Sequence, residues 1–194
     1  SNEALAEANR RLQHRSRCLE AITTLKATVG DDPTHERVAC AAAGALCSFL
    51  QIERAAVVAY SRSRDVFSIA ASRVPPTGTA AAGQGEAAPT LAGNASAPAL
   101  DIVPARDAGD LGVAVQSGRS WLPATLLPSP LLDRVTALLE TPPAWCLPLS
   151  NQHGFAAVLL VSGERPAESD EVLPVMADWI AAWLAIAESS VAAR

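Results

Sequence analysis

The four cysteines, Cys18, Cys40, Cys47 and Cys146, are the side chains of this sequence best suited to nucleophilic chemistry. Thiol catalysis needs a cysteine with a lowered pKa and a second cysteine that resolves the oxidised intermediate. Cys40 and Cys47 would lie roughly 10 Å apart along one helix axis, beyond the reach of a disulfide. None of the four belongs to a recognisable motif, which favours buried structural thiols in a reducing cytoplasm. Cys146, on a predicted strand, is the best placed for chemistry.

The histidines, glycines and lysine do not form a catalytic or metal-binding motif. His14, His35 and His153 are scattered, and the sequence contains no C-x-x-C, H-x-x-x-H or G-x-S-x-G pattern. The G-Q-G stretch at 83–85 follows no predicted strand and lacks the third glycine of a dinucleotide-binding turn. Lys26, the only lysine, has no phosphate-binding loop around it. We therefore predict no metal site, no catalytic residues and a protein that is not an enzyme.

Ligand binding is another use for side chains of these types. Tyr60 at a strand end, Arg119 after a glycine, and Trp121 and Trp145 on predicted strands could line a cavity. A guanidinium beside aromatic walls suits a small anionic or planar ligand. The alternative is that both tryptophans fill the core and that Arg119 lies on the surface. We predict a ligand-binding set of Tyr60, Arg119, Trp121, Trp145 and Cys146, and the sequence identifies no cofactor for it.

The composition argues against several classes of partner. The chain has 194 residues, which fits one domain, and its formal net charge is −5. A basic nucleic-acid surface and a polybasic membrane patch are therefore not expected. The longest uninterrupted apolar run, 179–187, is about half the length that spans a bilayer, and the polar first residues do not resemble a signal peptide. We predict a cytoplasmic protein that contacts neither nucleic acid nor membrane.

Long helices are predicted at both ends of the chain. In residues 3–29 apolar side chains recur in a pattern close to a heptad, at Leu5, Ala8, Leu12, Leu19, Ile22 and Val29. The last helix begins near residues 169–171 and carries an apolar stripe at Val172, Met176, Trp179, Trp183 and Ile186. So wide a belt needs more cover than one sheet face provides, so it should pack against the N-terminal helix, a second subunit, or both. We predict a homodimer through the terminal helices. The alternative is that the stripe packs only on the domain's own sheet.

Two hairpins are predicted between these helices. Residues 55–60 and 66–72 flank one polar turn, and residues 145–149 and 155–161 flank a second turn that contains glycine. The run 155–161 is apolar at consecutive positions, so both of its faces should be covered. We therefore place this second hairpin at the centre of the sheet.

The remaining segments predict three more helices, a short strand and one long insertion. A helix follows an N-cap at Asp32, with Pro33 in its first position, and a second one occupies residues 111–118. A short strand is predicted at 120–123, and Ser129 or Pro130 opens a helix that ends at Leu139. Residues 73–110 are rich in Ala, Pro and Gly, so they cannot bury enough apolar surface to offset their ordering entropy. We expect that segment to be an irregular insertion.

Several short segments, in a fixed order, carry a resemblance to a known family. They are IERAAVV at 52–58, AVQSGRSWL at 114–122, CLPL at 146–149 with GFAAVLLV at 154–161, and a closing helix at 168–187. Together they resemble the GAF domain, a sensory module of cyclic-nucleotide phosphodiesterases, phytochromes and many bacterial signalling proteins. The chain departs from that family at Ala157, where glycine is common, and at Ser120, where proline is common. Residues 73–110 replace the segment that usually walls the ligand pocket, so the resemblance implies no particular ligand.

The resemblance implies an α/β fold of the α+β type, with a central antiparallel sheet of five or six strands. The N- and C-terminal helices would pack on one face, and irregular loops and short helices on the other. Residues 1–30 would form a signalling or dimerisation helix, 31–188 the GAF-like domain and 189–194 the start of a linker.

The same resemblance implies a non-catalytic sensory or regulatory domain of a bacterial signal-transduction or transcription-regulatory protein. Such a domain would bind a small molecule, mediate dimerisation, or do both. Two alternatives stay open. One is a thiol enzyme similar to the free methionine sulfoxide reductases, and the other is a purely structural dimerisation module without a ligand.

Overall fold

The computed structural model describes residues 1–50, 52–74, 98–117, 128–151, 154–162 and 169–193. Within these ranges the chain forms five α-helices, five strands and one short 3₁₀ turn, Ala105–Asp107. The helices are α1 (Asn2–Val29), α2 (His35–Leu50), α3 (Gly109–Ser117), α4 (Pro130–Leu139) and α5 (Ser169–Ala192). The strands are β1 (Arg54–Ser61), β2 (Val66–Arg73), β3 (Ala99–Pro104), β4 (Trp145–Asn151) and β5 (Gly154–Ser162).

The strands form one antiparallel sheet in the order β3-β2-β1-β5-β4. β5 pairs with β1 on one side and β4 on the other, so the prediction that 155–161 is an interior strand is confirmed. The prediction that the whole second hairpin lies at the centre is wrong, because β4 is an edge strand. Pro148 of β4 has no N–H to donate, which suits an edge position.

α2 and α5 cover one face of the sheet, and the last part of α1 packs on these two helices. The prediction that both terminal helices pack on this face therefore holds for α5, whereas α1 is an outer element that reaches the sheet through α2 and α5. α2 lies against β1 and β2, and both α1 and α5 pack beside it. Its small side chains let it approach the sheet on one side and its neighbouring helices on the other. The alanines of α2 that are buried in this way are Ala39, Ala41, Ala42, Ala43 and Ala45.

The 3₁₀ turn, α3 and α4 cover the opposite face. The core there is built from Phe67, Ile69, Leu111, Val115, Leu131 and Val135, among others. A Cβ at Gly112 would collide with the Cβ of Ala108 and lie 3.2 Å from the Phe67 ring, so glycine at this position lets α3 pack closely against both residues. α4 begins as predicted, because Ser129 Oγ accepts a hydrogen bond from the Leu132 N–H at 3.2 Å, with Pro130 in the first turn.

Part of the predicted insertion has regular structure. Residues 99–104 form β3, which pairs with β2 from Ala71↔Ala99 to Val66↔Pro104, and the 3₁₀ turn and α3 follow directly. The prediction is wrong for this part because pairing satisfies backbone hydrogen bonds without requiring long apolar side chains. Residues 75–97 of the insertion, and the strand predicted at 120–123, lie outside the described residues.

The start of α2 also differs from the prediction. Thr34 Oγ1, rather than Asp32, caps the helix by accepting a hydrogen bond from the Arg37 N–H at 3.2 Å. Thr34 stands three residues before that N–H, which is the spacing at which a hydroxyl reaches a first-turn donor. The helix therefore begins at His35, just beyond the predicted position.

α5 packs one side against the sheet and exposes part of its apolar surface. Val172 and Met176 of the predicted stripe are buried, but Trp179 and Ile186 are 42% and 47% exposed. The buried side continues with Leu173, Ile180, Ala181, Leu184 and Ala187. By length and composition Val172–Ala192 could also cross a membrane, but a core helix meets the same criterion, and 44% of its most apolar window is buried.

Candidate functional site

Tyr60 lies near the turn end of β1, on the face covered by α3 and α4. Its ring packs against Phe67, with 4.9 Å between the ring centroids, and its hydroxyl donates a hydrogen bond to Asp65 Oδ1 at 2.7 Å. The bond to Asp65, together with burial, raises the pKa of the Tyr60 hydroxyl. The hydroxyl therefore stays protonated at neutral pH and holds the β1–β2 turn.

Cys146 packs against the same apolar cluster as Tyr60. Burial raises the pKa of its thiol to about 11, and burial likewise raises the pKa of Cys47 to about 11. Burial also raises the pKa of Cys18 and of Cys40. Because thiol catalysis needs a lowered pKa, the thiol-enzyme alternative gains no support from these four side chains.

The other predicted ligand-binding residues cannot be assigned to the same place. Arg119 and Trp121 lie outside the described residues. Trp145 belongs to β4, where its backbone is opposite Val161, but its side chain is outside the described part of the chain. The structure thus brings Tyr60 and Cys146 to one apolar cluster, and a shared site for all five residues stays a prediction.

A cavity of about 330 Å³ lies at the open end of the β1–β2 hairpin, against the last turn of α4. This volume is at the lower end of the range typical of small-molecule sites. Of the predicted residues whose side chains the structure describes, neither Tyr60 nor Cys146 lines it. The described residues that line it are Arg54, Ala71, Ser72, Arg73, Ala99, Ala137, Leu138, Leu139 and Glu140.

The charged wall of this cavity is formed by Arg54 and Arg73, which we call the arginine pair, and by the carboxylate of Glu140. Arg54 Nη1 donates to the carbonyl oxygen of Leu139 and, at 2.9 Å, to Glu140 Oε2. Arg73 Nη1 donates to the same Oε2 at 3.1 Å. One carboxylate oxygen therefore bridges two guanidinium groups, and Arg54 also satisfies a carbonyl at the end of α4, where cations are favoured.

The sequence contained a signal for the arginine pair. Hairpin register follows from the turn, and pairing of Ser61 with Val66 places Arg54 directly opposite Arg73. Like charges at directly opposed positions destabilise a sheet, so a carboxylate between the two side chains relieves their repulsion. Glu140 could not be found in this way, because it lies 67 residues after Arg73, on a helix that only the tertiary structure positions.

A second charge cluster lies at the turn end of the same hairpin, on the face covered by α2 and α5. Glu188 of α5 accepts hydrogen bonds from the Ser63 N–H at 2.6 Å and from the Ser61 hydroxyl at 3.3 Å. Its Oε2 lies 3.0 Å from Nε2 of His35, a side chain that is 2% exposed. These four residues, the Glu188 cluster, tie the end of α5 to α2 and to the β1–β2 turn.

The protonation of the Glu188 cluster follows from burial. Burial lowers the pKa of His35 below its ordinary value of 6.5, although the charge of Glu188 opposes this effect. The imidazole is therefore neutral at pH 7 and donates its Nε2–H to Glu188. Within the described residues, Nδ1 of His35 has no hydrogen-bond partner.

An adjacent ion pair completes this corner of the domain. Arg64 of the β1–β2 turn donates a hydrogen bond to Glu36 of α2. Burial acts to raise the pKa of Glu36, but the bond and charge of Arg64 outweigh it, so the pKa lies below its ordinary value of 4.5. The turn is thus fixed to α2 as well as to α5.

The described side chains do not assemble a metal centre. Among them, no three or more His, Cys, Asp or Glu side chains lie together as a metal site requires. His35 and Glu188 supply two donors between them, and the hydrogen bonds described above already use those of Glu188.

Comparison with known proteins gives a fold but no sequence relative. No protein-family model and no curated protein sequence matches this chain. A solved GAF domain from a phosphoenolpyruvate-protein phosphotransferase of Coxiella burnetii matches with a TM-score of 0.51 and 14% identity, covering 91% of this chain and 98% of that one.

Two further solved structures are more distant. The GAF domain of an Acinetobacter phosphoenolpyruvate-protein phosphotransferase is 8% identical, covers 89% of this chain and 96% of its own, and has a TM-score of 0.46. Residues 122 to 287 of a methyl-accepting chemotaxis protein are 12% identical, cover 88% and 96%, and have a TM-score of 0.48. The sheet order, the two covered faces and the Coxiella burnetii match lead to one conclusion: this chain has a GAF-like fold.

Proposed function

We propose that this GAF-like domain is a non-catalytic regulatory module of a cytoplasmic bacterial signalling or transcription-control protein. In this proposal a small molecule binds on the face covered by α3 and α4. Its binding changes the hydrogen bonds that hold the end of α5. The Coxiella burnetii relative is a GAF domain from a phosphotransferase, which supports a role as one part of a larger protein.

The observation that carries this proposal is the position of the β1–β2 turn between the two faces of the sheet. On one face the Tyr60 hydroxyl is bonded to Asp65 at 2.7 Å. On the other face Ser61 and Ser63 donate hydrogen bonds to Glu188 of α5. A ligand that shifts Tyr60 would therefore shift the donors that hold the end of α5.

Hydrogen exchange tests this coupling. Tyr60→Phe removes the hydroxyl that bonds Asp65 and leaves the ring that packs on Phe67. We expect faster exchange of the backbone amides near Glu188 in α5, because the turn holds that carboxylate less firmly. The measurement is exchange followed by mass spectrometry, peptide by peptide, on wild type and variant.

A matched control separates coupling from general loosening of that face. Arg134→Gln removes an exposed ion pair to Asp101, 3.1 Å long, between α4 and β3 on the same face but away from the turn. We expect this variant to leave exchange near Glu188 unchanged. Equal effects of the two substitutions, or no effect of Tyr60→Phe, would contradict the proposed route.

Dimerisation through the terminal helices is a second candidate function. Leu5, Leu12 and Leu19 of α1 are 75%, 65% and 64% exposed, and they stand seven residues apart on one helix face. A heptad of exposed leucines favours pairing with another helix. Exposed Trp179 and Ile186 of α5 extend the same kind of apolar surface.

Light scattering after size exclusion tests the dimer directly. The double variant Leu12→Glu and Leu19→Glu places two charges in the apolar seam, and we expect it to be monomeric where the wild type is a dimer. Arg10→Glu introduces the same side chain roughly opposite this seam and should leave the dimer intact. A monomeric wild type at tens of micromolar would exclude this second function.

A further inference from the structure

We infer that the cavity at the open end of the β1–β2 hairpin binds a small molecule through an oxyanion group, a carboxylate or a phosphate, held by Arg54 and Arg73. The inference gives the sensory role proposed above a ligand class and a binding place on the same face, at the other end of the hairpin from Tyr60, and it rests on that role. Three features carry it: two guanidinium groups that share one carboxylate oxygen, a displaceable carboxylate and room for a ligand.

The arginine pair shares one closely bound carboxylate oxygen. Arg54 and Arg73 are directly opposed across the hairpin, and both hydrogen-bond a single carboxylate oxygen of Glu140. Glu53 is another described carboxylate beside Arg54, but it lies 3.9 Å from Arg54 Nε, beyond hydrogen-bond distance, and is 72% exposed. Leu139 satisfies Arg54 through a neutral carbonyl. Guanidinium groups present planar forks that match carboxylate and phosphate groups, so the fork of Arg73, which bonds one Glu140 oxygen among the described residues, can hold an added oxyanion.

Glu140 is placed as an internal stand-in for such an anion. It follows the last turn of α4 with φ 60° and ψ 12°, a left-handed conformation that glycine adopts more readily. Its side chain is 57% exposed, and that of Arg73 is 53% exposed, so both can be reached from solvent. A ligand oxyanion can therefore take the place of the Glu140 carboxylate beside Arg73 while Arg54 stays on the end of α4.

The remaining walls leave room for the rest of a ligand. Ala71, Ala99 and Ala137 line the cavity with methyl groups, and Leu138 adds a longer apolar side chain. The volume of about 330 Å³ accommodates a small organic acid or a small phosphate ester. Apolar walls and one charged side are the usual composition of small-molecule sites.

The test is isothermal titration of the whole 194-residue chain with sodium phosphate and, separately, with disodium succinate, at an ionic strength held constant with sodium chloride. We expect saturable binding of at least one of the two. Arg73→Gln should weaken it by about tenfold or more. Arg73→Lys should also weaken it, because lysine keeps the charge but lacks the fork. Glu140→Gln should strengthen it, since the internal competitor loses its charge.

Arg106→Gln is the matched control. Arg106 is 83% exposed and pairs with its neighbour Asp107, so its loss removes one positive charge from the same face without touching the cavity. Binding should be unchanged in this variant. Saturation by phosphate alone would identify a phosphorylated ligand, and saturation by succinate alone a carboxylic acid.

Two results would overturn the inference: no saturation by about 10 mM of either anion, or equal affinities in wild type, Arg73→Gln and Glu140→Gln.

The regulatory proposal fails separately. If Tyr60→Phe alters exchange in α5 while no anion binds, the site is wrong and the regulatory role stands. If an anion binds through Arg73 but neither it nor Tyr60→Phe changes exchange in α5, the site stands and the regulatory role is wrong.

Discussion

The two charge clusters of this domain lie at opposite ends of one β-hairpin and on opposite faces of the sheet. In the Glu188 cluster, one carboxylate accepts hydrogen bonds from His35, Ser61 and Ser63. In the other, two guanidinium groups share the carboxylate of Glu140. In the first cluster the side chain of His35 is 2% exposed. In the second, the side chains of Glu140 and Arg73 are both more than half exposed.

The difference lies in solvent access and in what the cluster borders. The donors around Glu188 are neutral and surround one carboxylate, an arrangement that fixes a helix end and leaves little for a ligand to add. The arginine pair shares one oxygen of a carboxylate that solvent can reach, and it borders a cavity. We therefore expect the Glu188 cluster to contribute stability and the arginine pair to contribute binding.

The largest expected effect is the removal of the carboxylate in the buried cluster. Glu188→Ala leaves His35 and the Ser63 N–H without their acceptor, so we expect the free energy of unfolding to fall by about 2–3 kcal/mol. Urea unfolding measures it. Glu20→Ala, at an exposed position of α1, is the control and should change stability by less than about 0.5 kcal/mol. Equal effects of the two would remove the distinction between the clusters.

The two members of the arginine pair should differ from each other. Arg54→Gln loses the bond that caps α4 and should lower the free energy of unfolding by about 1–1.5 kcal/mol. Arg73→Gln loses only an exposed ion pair and should change it by less than about 0.5 kcal/mol. Urea unfolding of both variants checks this asymmetry. A larger loss for Arg73→Gln would assign it a structural role and weaken the case for binding.

Acidification should affect the buried cluster through His35. Because the folded pKa of His35 lies below 6.5, its contribution to stability is complete above pH 6.5 and is lost as the pH falls toward the folded pKa. Glu188, Arg64 and Glu36 face this imidazole, and Glu36, with its lowered pKa, responds only below about pH 4.5.

The corresponding measurement is the urea midpoint between pH 7.5 and 5. It should fall on acidification in the wild type and change less in His35→Gln. A midpoint that rises on acidification would mean that a protonated His35 pairs favourably with Glu188, and the expected direction would then be wrong.

The smallest effect is expected at Glu140. Glu140→Gly removes two exposed ion pairs but relieves a left-handed conformation, two terms of about 1 kcal/mol that nearly cancel. Glu140→Ala loses the pairs and keeps the backbone strain, so it should be about 1 kcal/mol less stable than the glycine variant. Urea unfolding compares the two. A marked fall in the free energy of unfolding of the Glu140→Gly variant would show that this carboxylate contributes to stability.

Much of the architecture could be predicted from local patterns. The polar turn after Tyr60 and the consecutive apolar residues of β5 predicted strands that the structure contains. The prediction that Ser129 or Pro130 opens α4 is confirmed, with Ser129 as the N-cap and Pro130 as the first residue. These predictions succeed because hydrophobic period, turn chemistry and caps act over a few residues. β3 was missed because its side chains are short or exposed and only its pairing with β2 orders it.

The sequence by itself determined the type and order of most elements, and with them the resemblance to a GAF domain. The register that places Arg54 opposite Arg73 was decided by the structure, in which β1 extends to Ser61 and pairs that residue with Val66. Only the tertiary structure decided which carboxylates meet these basic groups. Glu140 lies 86 residues from Arg54, and Glu188 lies 125 residues from Ser63. Contacts over such separations depend on how helices pack across a sheet, which no local pattern encodes.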